Sequence, residues 1–338
     1  MSKPKTYADI DPLEPEWGIP GLVPKSFLTV VLGEGGVGKG QWWSNLAGLI
    51  TTGSRLPRVP ESEDPEAAGS VLLVTSEDDP NMSTAWRLRA AGANLAKVYD
   101  MTDDFSIPES LPELERQIDE IGDVRLVIID PLADNLGYVP GSKRQISLTS
   151  GNVTLRRHVM RPLERLARRK GIMLVVIHHT VKSGRMAGSK GISDAARMVL
   201  RITRPDPGNA LRLITVEKTN IAGGDDIVGY TISGRWPDVH VTYVDAPEVV
   251  APAITVERST IDKIVDALND RGKAPDGTLT TQALAKAADV DYQSCRTALT
   301  RGKAAGKVWS PKRGTWAAGP DPSSDPADSP PILELVHT

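Results

Sequence analysis

Phe27-Leu28-Thr29-Val30-Val31-Leu32-Gly33-Glu34-Gly35-Gly36-Val37-Gly38-Lys39-Gly40-Gln41 is the stretch that decides the fold. Residues 27–32 form an apolar, β-branched run that ends in a glycine cluster, the pattern of a buried strand entering a tight turn. Helical character follows from Gln41 to Thr51. Gly33 to Lys39 fits GxxxxGK between that strand and that helix. Glycines are needed there because successive backbone N–H groups must turn inward to cradle phosphate oxygens. The helix that follows offers its positive end to the same anion. The expected nucleotide-binding residues are Gly33, Glu34, Gly35, Gly36, Val37, Gly38, Lys39, Gly40 and Gln41, with ATP and Mg²⁺ as cofactors and Lys39 reaching the β- and γ-phosphates. The motif's Ser/Thr, whose hydroxyl holds Mg²⁺, is Gly40 here, so the metal falls to water, to Gln41 or to an acid elsewhere.

Working outward, Val71–Val74, Leu126–Ile129 and Met173–Ile177 are further continuous apolar strands, with a short one at Val98-Tyr99. Helical segments alternate with them at Ser83–Ala91, Leu111–Ile121 and Thr154–Lys170, the last containing Pro162 as a kink or break. This alternation predicts an α/β unit with a mostly parallel sheet covered on both faces. Segments near Leu211–Val216 and Ile227–Ile232, with turns at Gly223-Gly224 and Gly234, read as antiparallel additions at one edge. In open α/β sheets, ligands lie beyond the carboxyl ends of the strands. Glu77, Asp130 and the pair His178-His179 follow or end strands at that edge. Asp130 is expected to bind Mg²⁺ through water, or else to cap a turn. Glu77 polarises the attacking water or is a solvated loop acid. One histidine senses the γ-phosphate or is structural. Zinc is disfavoured, since no cysteine or further histidine lies at ligand spacing.

With 338 residues, two domains are expected. Hydrophobic residues at 40% and charged residues at 25% exclude a wholly disordered chain, a collagen and a disulfide scaffold. The formal charge of −3 means that any nucleic-acid surface is local. The lone Cys295 makes no internal disulfide, so a reducing, cytoplasmic compartment is expected. No apolar run is long enough for a membrane span, and the first fifteen residues lack a signal-peptide core. The expected organisation is an arm at 1–16, the α/β domain at 17–246, a linker at 247–256, a small domain at 257–318 and a disordered acidic tail at 319–338.

The small domain reads as three helices, Thr260–Asn269, Gln282–Ala288 and Tyr292–Ala305, then a hairpin of Val308-Trp309 and Thr315–Ala317. That is a winged helix-turn-helix pattern. Arg296, Arg301, Lys303, Lys307, Lys312 and Arg313 lie on its third helix and wing with no acid among them. They point to duplex DNA, with Gln293 and Ser294 as candidate base readers; a protein-docking module is the alternative. Two Gly/Ser-rich loops are candidates for a single-strand channel, one with Lys143 and Arg144, the other with Lys182, Arg185 and Lys190, or they are solvated surface. The arginines of Thr154–Lys170 read as a solvated face or subunit contact. The tail competes for the DNA surface or binds a replication partner through Ile332-Leu333-Glu334-Leu335-Val336.

Several segments in order resemble the RecA-like hexameric helicase family, particularly the plasmid RepA-type replicative helicases. They are Trp17–Pro24, Gly33–Lys39, Ser76–Asp79 with Arg87–Ala93, Val127–Leu132, Val176–His179, Gly188-Ser189 with Asp194–Arg197, and Glu217–Asn220. The resemblance implies a RecA-like P-loop core, with Glu77 as catalytic base, Asp130 as metal-site acid and His179 or its neighbour as γ-phosphate sensor. It implies that Lys218 is a cationic finger for the adjoining subunit's nucleotide, in a hexameric ring or filament. The arginine often found two residues beyond is Asn220 here, leaving Arg201 or Arg204 to substitute. The implied activity is a DNA-dependent ATPase or helicase of plasmid, phage or mobile-element replication. A non-translocating assembly switch and a single-strand recombination mediator are the alternatives.

Overall fold

The computed structural model describes residues 6–7, 11–180, 186, 188–221, 227–244, 260–270, 278–304, 306–312 and 315–319. The chain divides into two compact units, Met1–Pro247 and Glu248–Thr338.

In the first unit, β1 (Trp17–Ile19) and β2 (Val23–Pro24) form a small antiparallel pair ahead of β3 (Leu28–Gly33). The remaining strands are β4 (Ser70–Thr75), β5 (Val98–Asp100), β6 (Val124–Asp130), β7 (Met173–His179), β8 (Met198–Thr203), β9 (Leu211–Thr219), β10 (Ile227–Arg235) and β11 (Asp238–Val244). They make a nine-stranded sheet in the order β11-β10-β9-β8-β3-β7-β6-β4-β5. Neighbours from β8 to β5 run parallel, and β9, β10 and β11 extend the β8 edge antiparallel. The expected α/β class and its antiparallel edge are both present. Gly223-Gly224 lies outside the described residues.

The strand period of two divides the core. Val30, Leu32, Leu72, Val74, Val127 and Ile129 face one cluster, which α3 (Leu111–Ile121) and the helix ending at Lys170 cover. Val31, Leu73, Leu126 and Ile128 face the other, covered by α1 (Lys39–Thr52) and α2 (Ala85–Ala90). Both faces are covered by buried apolar side chains, which is why these strands read as unbroken apolar runs.

Pro162 breaks nothing. α4 (Asn152–Leu155) passes into a π turn over Arg156–Met160 and then into α5 (Arg161–Lys170), which ends at the left-handed Gly171. The wider turn accommodates the residue that cannot donate its backbone N–H. Beyond β7, the passage from Asp194 to Leu200 holds the end of α6 (Gly191–Ala195) and the start of β8, whose strand lies directly beside β3. Arg201 interrupts the apolar pattern of β8 and pairs with Glu217 at 2.6 Å, which hid the strand in the sequence.

The second unit contains α7 (Thr260–Asp270), β12 (Leu279–Thr280), α8 (Thr281–Ala287), α9 (Tyr292–Ala304), β13 (Val308–Trp309) and β14 (Thr315–Ala318). Its three-stranded antiparallel sheet has the order β12-β14-β13. Ile264, Leu268, Leu284, Cys295, Leu299 and Val308 form the core. Thr280 caps α8 by accepting from Ala283 N–H at 3.2 Å, and Asp291 caps α9 by accepting from the N–H groups of Gln293 and Ser294. The expected linker at 247–256 and the tail from residue 320 onward lie outside the described residues.

Candidate active site

β3, β7, β6 and β4 are consecutive neighbours and parallel, so their carboxyl ends share one edge. Their last residues and the loops after them bring together Gly33–Lys39, His179, Asp130 and Glu77. The loop after β3 needs backbone that only glycine adopts freely: Gly36 has φ 72° and Gly38 has φ 104°. It is stitched to the neighbouring strand end by Thr180 N–H, which donates to Gly33 O at 3.1 Å.

Lys39 opens α1, and its ammonium donates to Gly33 O at 3.0 Å and Glu34 O at 2.8 Å. It also lies 3.2 Å from His179 Nδ1. Burial pushes the Lys39 pKa down, and the carboxylates of Asp130 and Glu77 oppose that shift. An ammonium only donates, so with Lys39 charged His179 Nδ1 is the acceptor and Nε2 carries the proton. That assigns the 3.0 Å contact of Nε2 with Glu77 Oε2 as donation from His179. His179 thus bridges the phosphate-loop lysine and the Glu77 carboxylate.

Asp130, at the end of β6, accepts from Trp43 Nε1–H at 2.7 Å. Burial pushes its carboxyl above the ordinary aspartate range; the Trp43 N–H and the Lys39 and His179 groups pull it back part of the way. Ligand atoms of Glu77, Asp130 and His179 all lie within 4.8 Å of one another. Spacing along the chain could not reveal this set, because each member comes from a different strand. Two carboxylates beside a phosphate loop fit a hydrated Mg²⁺, which prefers oxygen and keeps several waters. Both nitrogens of His179 are already engaged, one of them facing the Lys39 ammonium, so the set suits zinc less well. Gly40 contributes no side chain.

Two further residues were missed in the sequence. Arg212 on β9 is buried; its Nε donates to Val37 O at 2.8 Å, and its Nη1 donates to the carbonyls of Asn209, Ala210 and Leu211 at 3.0–3.2 Å. Tyr230 on β10, also buried, donates to Gly38 O at 3.3 Å. They fix the phosphate loop from the antiparallel edge. The available signal was an arginine among the leucines and isoleucine of Leu211–Val216.

The other candidates lie elsewhere. Lys218 on β9 donates to Ser193 O, Asp194 O and Ala196 O at 2.9–3.0 Å. It pairs in register with Val199, itself beside Val30, toward the amino end of β3 and away from its own Lys39. Lys190 is exposed just before α6, and Lys182 and Arg185 lie outside the described residues. Lys143 and Arg144 are exposed, and Arg144 donates to Thr154 Oγ1. Arg169 and Lys170 pair with Glu115 and Asp119 on α3. In the second unit Gln293, Ser294, Arg296, Lys303, Lys307 and Lys312 are exposed. Arg301 lies in α9, and Arg313 is outside the described residues.

No helix among the described residues is long and apolar enough to cross a membrane. No curated protein matches the chain. Residues 7–185, more than half of the sequence, match the AAA domain, and with the phosphate loop, its lysine and the acids of the adjoining strands on one edge, the chain belongs to that family of P-loop ATPases.

Proposed function

We propose that the chain is a DNA-dependent ATPase of the RecA-like, RepA-type helicase kind, working as a ring or filament in the replication of a plasmid, phage or mobile element. The observation that carries this is the continuous contact Lys39–His179–Glu77 beside Asp130. When ATP arrives, the Lys39 ammonium exchanges the loop carbonyls of Gly33 and Glu34 for the β- and γ-phosphates. Asp130 and Glu77 are the residues that would hold a hydrated Mg²⁺, whose chemistry there would be to neutralise phosphate charge. Glu77 takes the proton of the attacking water. His179, freed from Lys39, moves its Nε2–H from Glu77 to a γ-phosphate oxygen, and the loss of that phosphate is passed to the loop after β7 that carries Lys182, Arg185 and Lys190. Lys218, too far along the sheet to serve its own nucleotide, supplies its charge to the neighbouring subunit's.

The second unit is read as a winged helix on duplex DNA. Its α9 buries Cys295 and Leu299 and leaves Gln293, Ser294 and Arg296 in solvent. Lys307 and Lys312 flank and occupy the β13–β14 hairpin in the place of a wing. One observation favours a second reading, an ATP-dependent assembly switch that loads or regulates without translocating: Gly40 removes a ligand that supports rapid turnover.

The test is ATP hydrolysis by the full chain with Mg²⁺, with and without single-stranded DNA, beside Lys39→Ala. Strong stimulation by single strands, abolished in Lys39→Ala, is the expected result. Lys39-dependent ATP binding with turnover indifferent to DNA would move the conclusion to the assembly switch.

A further inference from the structure

The place left by the missing motif hydroxyl is filled. A Cβ built on Gly40 would lie 3.0 Å from Nη1 of Arg87 on α2, tighter than ordinary van der Waals contact. The direction of that Cβ is the one in which the motif's Ser/Thr presents its hydroxyl to Mg²⁺. Arg87 is held there by Asp78, the residue after Glu77. Both terminal guanidinium nitrogens donate to the Asp78 carboxylate, Nη2 to Oδ1 at 3.1 Å. α2 itself is pressed onto α1, since a Cβ on Gly48 would lie only 2.2 Å from Ala91 O. The guanidinium position is therefore set by helix packing as well as by the ion pair. A guanidinium carries five N–H donors, and the contacts to Asp78 leave others available. Its planar fork suits phosphate oxygens.

We propose that Arg87 binds the nucleotide's phosphates directly, from the same subunit, in the place of the motif's missing hydroxyl and beside the metal that Asp130 would hold, so that nucleotide binding by this chain depends little on the metal. The proposal rests on the nucleotide-binding reading of Gly33–Lys39 and assigns it a second cation. Gly40 and Arg87 then form one device: a side chain at residue 40 would push the guanidinium away, and without the guanidinium the site would lack both the hydroxyl and its second cation. Asp78 stores the arginine in the empty site and competes with phosphate for it. A metal that Asp130 would hold belongs to turnover, so binding and hydrolysis separate in their need for Mg²⁺.

The experiment is equilibrium binding of a fluorescently labelled ATP to the full chain, in Mg²⁺ and in EDTA. Wild type is expected to bind in EDTA within about tenfold of its affinity in Mg²⁺, and Arg87→Ala to lose about tenfold or more in EDTA. Gly40→Ser placed in the Arg87→Ala background recovers binding in Mg²⁺ and not in EDTA. Asp78→Asn, which frees the guanidinium, tightens binding in EDTA, and it decides the matter should Arg87→Ala fail to fold. Wild-type binding that vanishes in EDTA overturns the proposal without any variant. So does Arg87→Ala that binds in EDTA as wild type does, the result expected if the arginine merely fastens α2 to α1. Lys39→Ala separates the two levels: if it binds ATP as tightly as wild type, the nucleotide site itself is misplaced, whereas its loss of binding beside an unaffected Arg87→Ala removes only Arg87.

Discussion

The indole N–H of Trp43 donates to Asp130 Oδ2 across 2.7 Å, joining the helix after the phosphate loop to a carboxylate two strands away. Trp43 is fully buried. Trp43→Phe keeps an aromatic ring and deletes this donor, leaving a half-buried oxygen without it. Denaturant unfolding is expected to show a loss of about 1–3 kcal/mol. The Mg²⁺ concentration for half-maximal hydrolysis should rise, because the carboxylate is no longer held in place. Unchanged stability and unchanged Mg²⁺ dependence would show that the bond does neither job.

Glu77, the base proposed for the attacking water, is held by His179 at 3.0 Å. Glu77→Gln retains a side chain of the same shape and loses the proton acceptor. Turnover is expected to fall by about 100-fold or more while ATP binding stays. Single-turnover hydrolysis beside a binding titration checks this, and wild-type turnover in the variant removes Glu77 from the chemistry.

The Asp130 carboxyl is held above the usual aspartate range, mainly by burial. In the unfolded chain it ionises at its ordinary pKa; in the folded chain it ionises only at higher pH. The folded state therefore holds the extra proton in that interval, so stability falls as pH rises through it and stays lower above it. Asp130→Asn removes this cost. Thermal unfolding without nucleotide should find the variant more stable than wild type at neutral pH, with the gain shrinking as pH drops toward the ordinary aspartate pKa. A gain that grows on acidification contradicts the assignment.

Arg212 reaches four backbone carbonyls from the interior, one of them Val37 of the phosphate loop. Arg212→Met fills much of the volume and leaves those carbonyls short of donors. The expected cost is about 2–4 kcal/mol of stability, with weaker ATP binding because the loop loses its outer anchor. Tyr230→Phe, which loses one 3.3 Å bond to Gly38 O, should cost about 1 kcal/mol or less. Equal effects from the two would show that the arginine bonds are not the main fastening.

Lys303 and Lys307, both exposed, follow one another at the end of α9 and the start of the β13–β14 hairpin. If they neutralise DNA phosphates, replacing each by Glu weakens duplex binding across all sequences. The slope of log affinity against log salt then falls by about one for each lysine replaced. Affinity and slope that match wild type favour the protein-docking alternative for this unit.

Local pattern alone determined a good deal of this protein. The run Leu28–Leu32 into Gly33–Lys39 marks strand, turn and helix because apolar content, glycine freedom and helix onset are properties of neighbouring residues. The same holds for Leu111–Ile121, and for the Thr280 and Asp291 caps of the second unit, where each side chain acts on backbone two or three residues away. Glu77, Asp130 and His179 could be placed at one edge because buried parallel strands present their carboxyl ends together. Their order across the sheet, and hence the bridge His179 makes between Lys39 and Glu77, depended on β7 entering between β3 and β6. That insertion is a pairing between distant segments, and no short window encodes it. Arg212 lies 175 positions from Val37, and Arg87 reaches Gly40 only because α2 packs on α1. Nearest-neighbour chemistry writes the elements into the sequence, while contacts between side chains far apart along the chain exist only once the sheet order and helix packing are set.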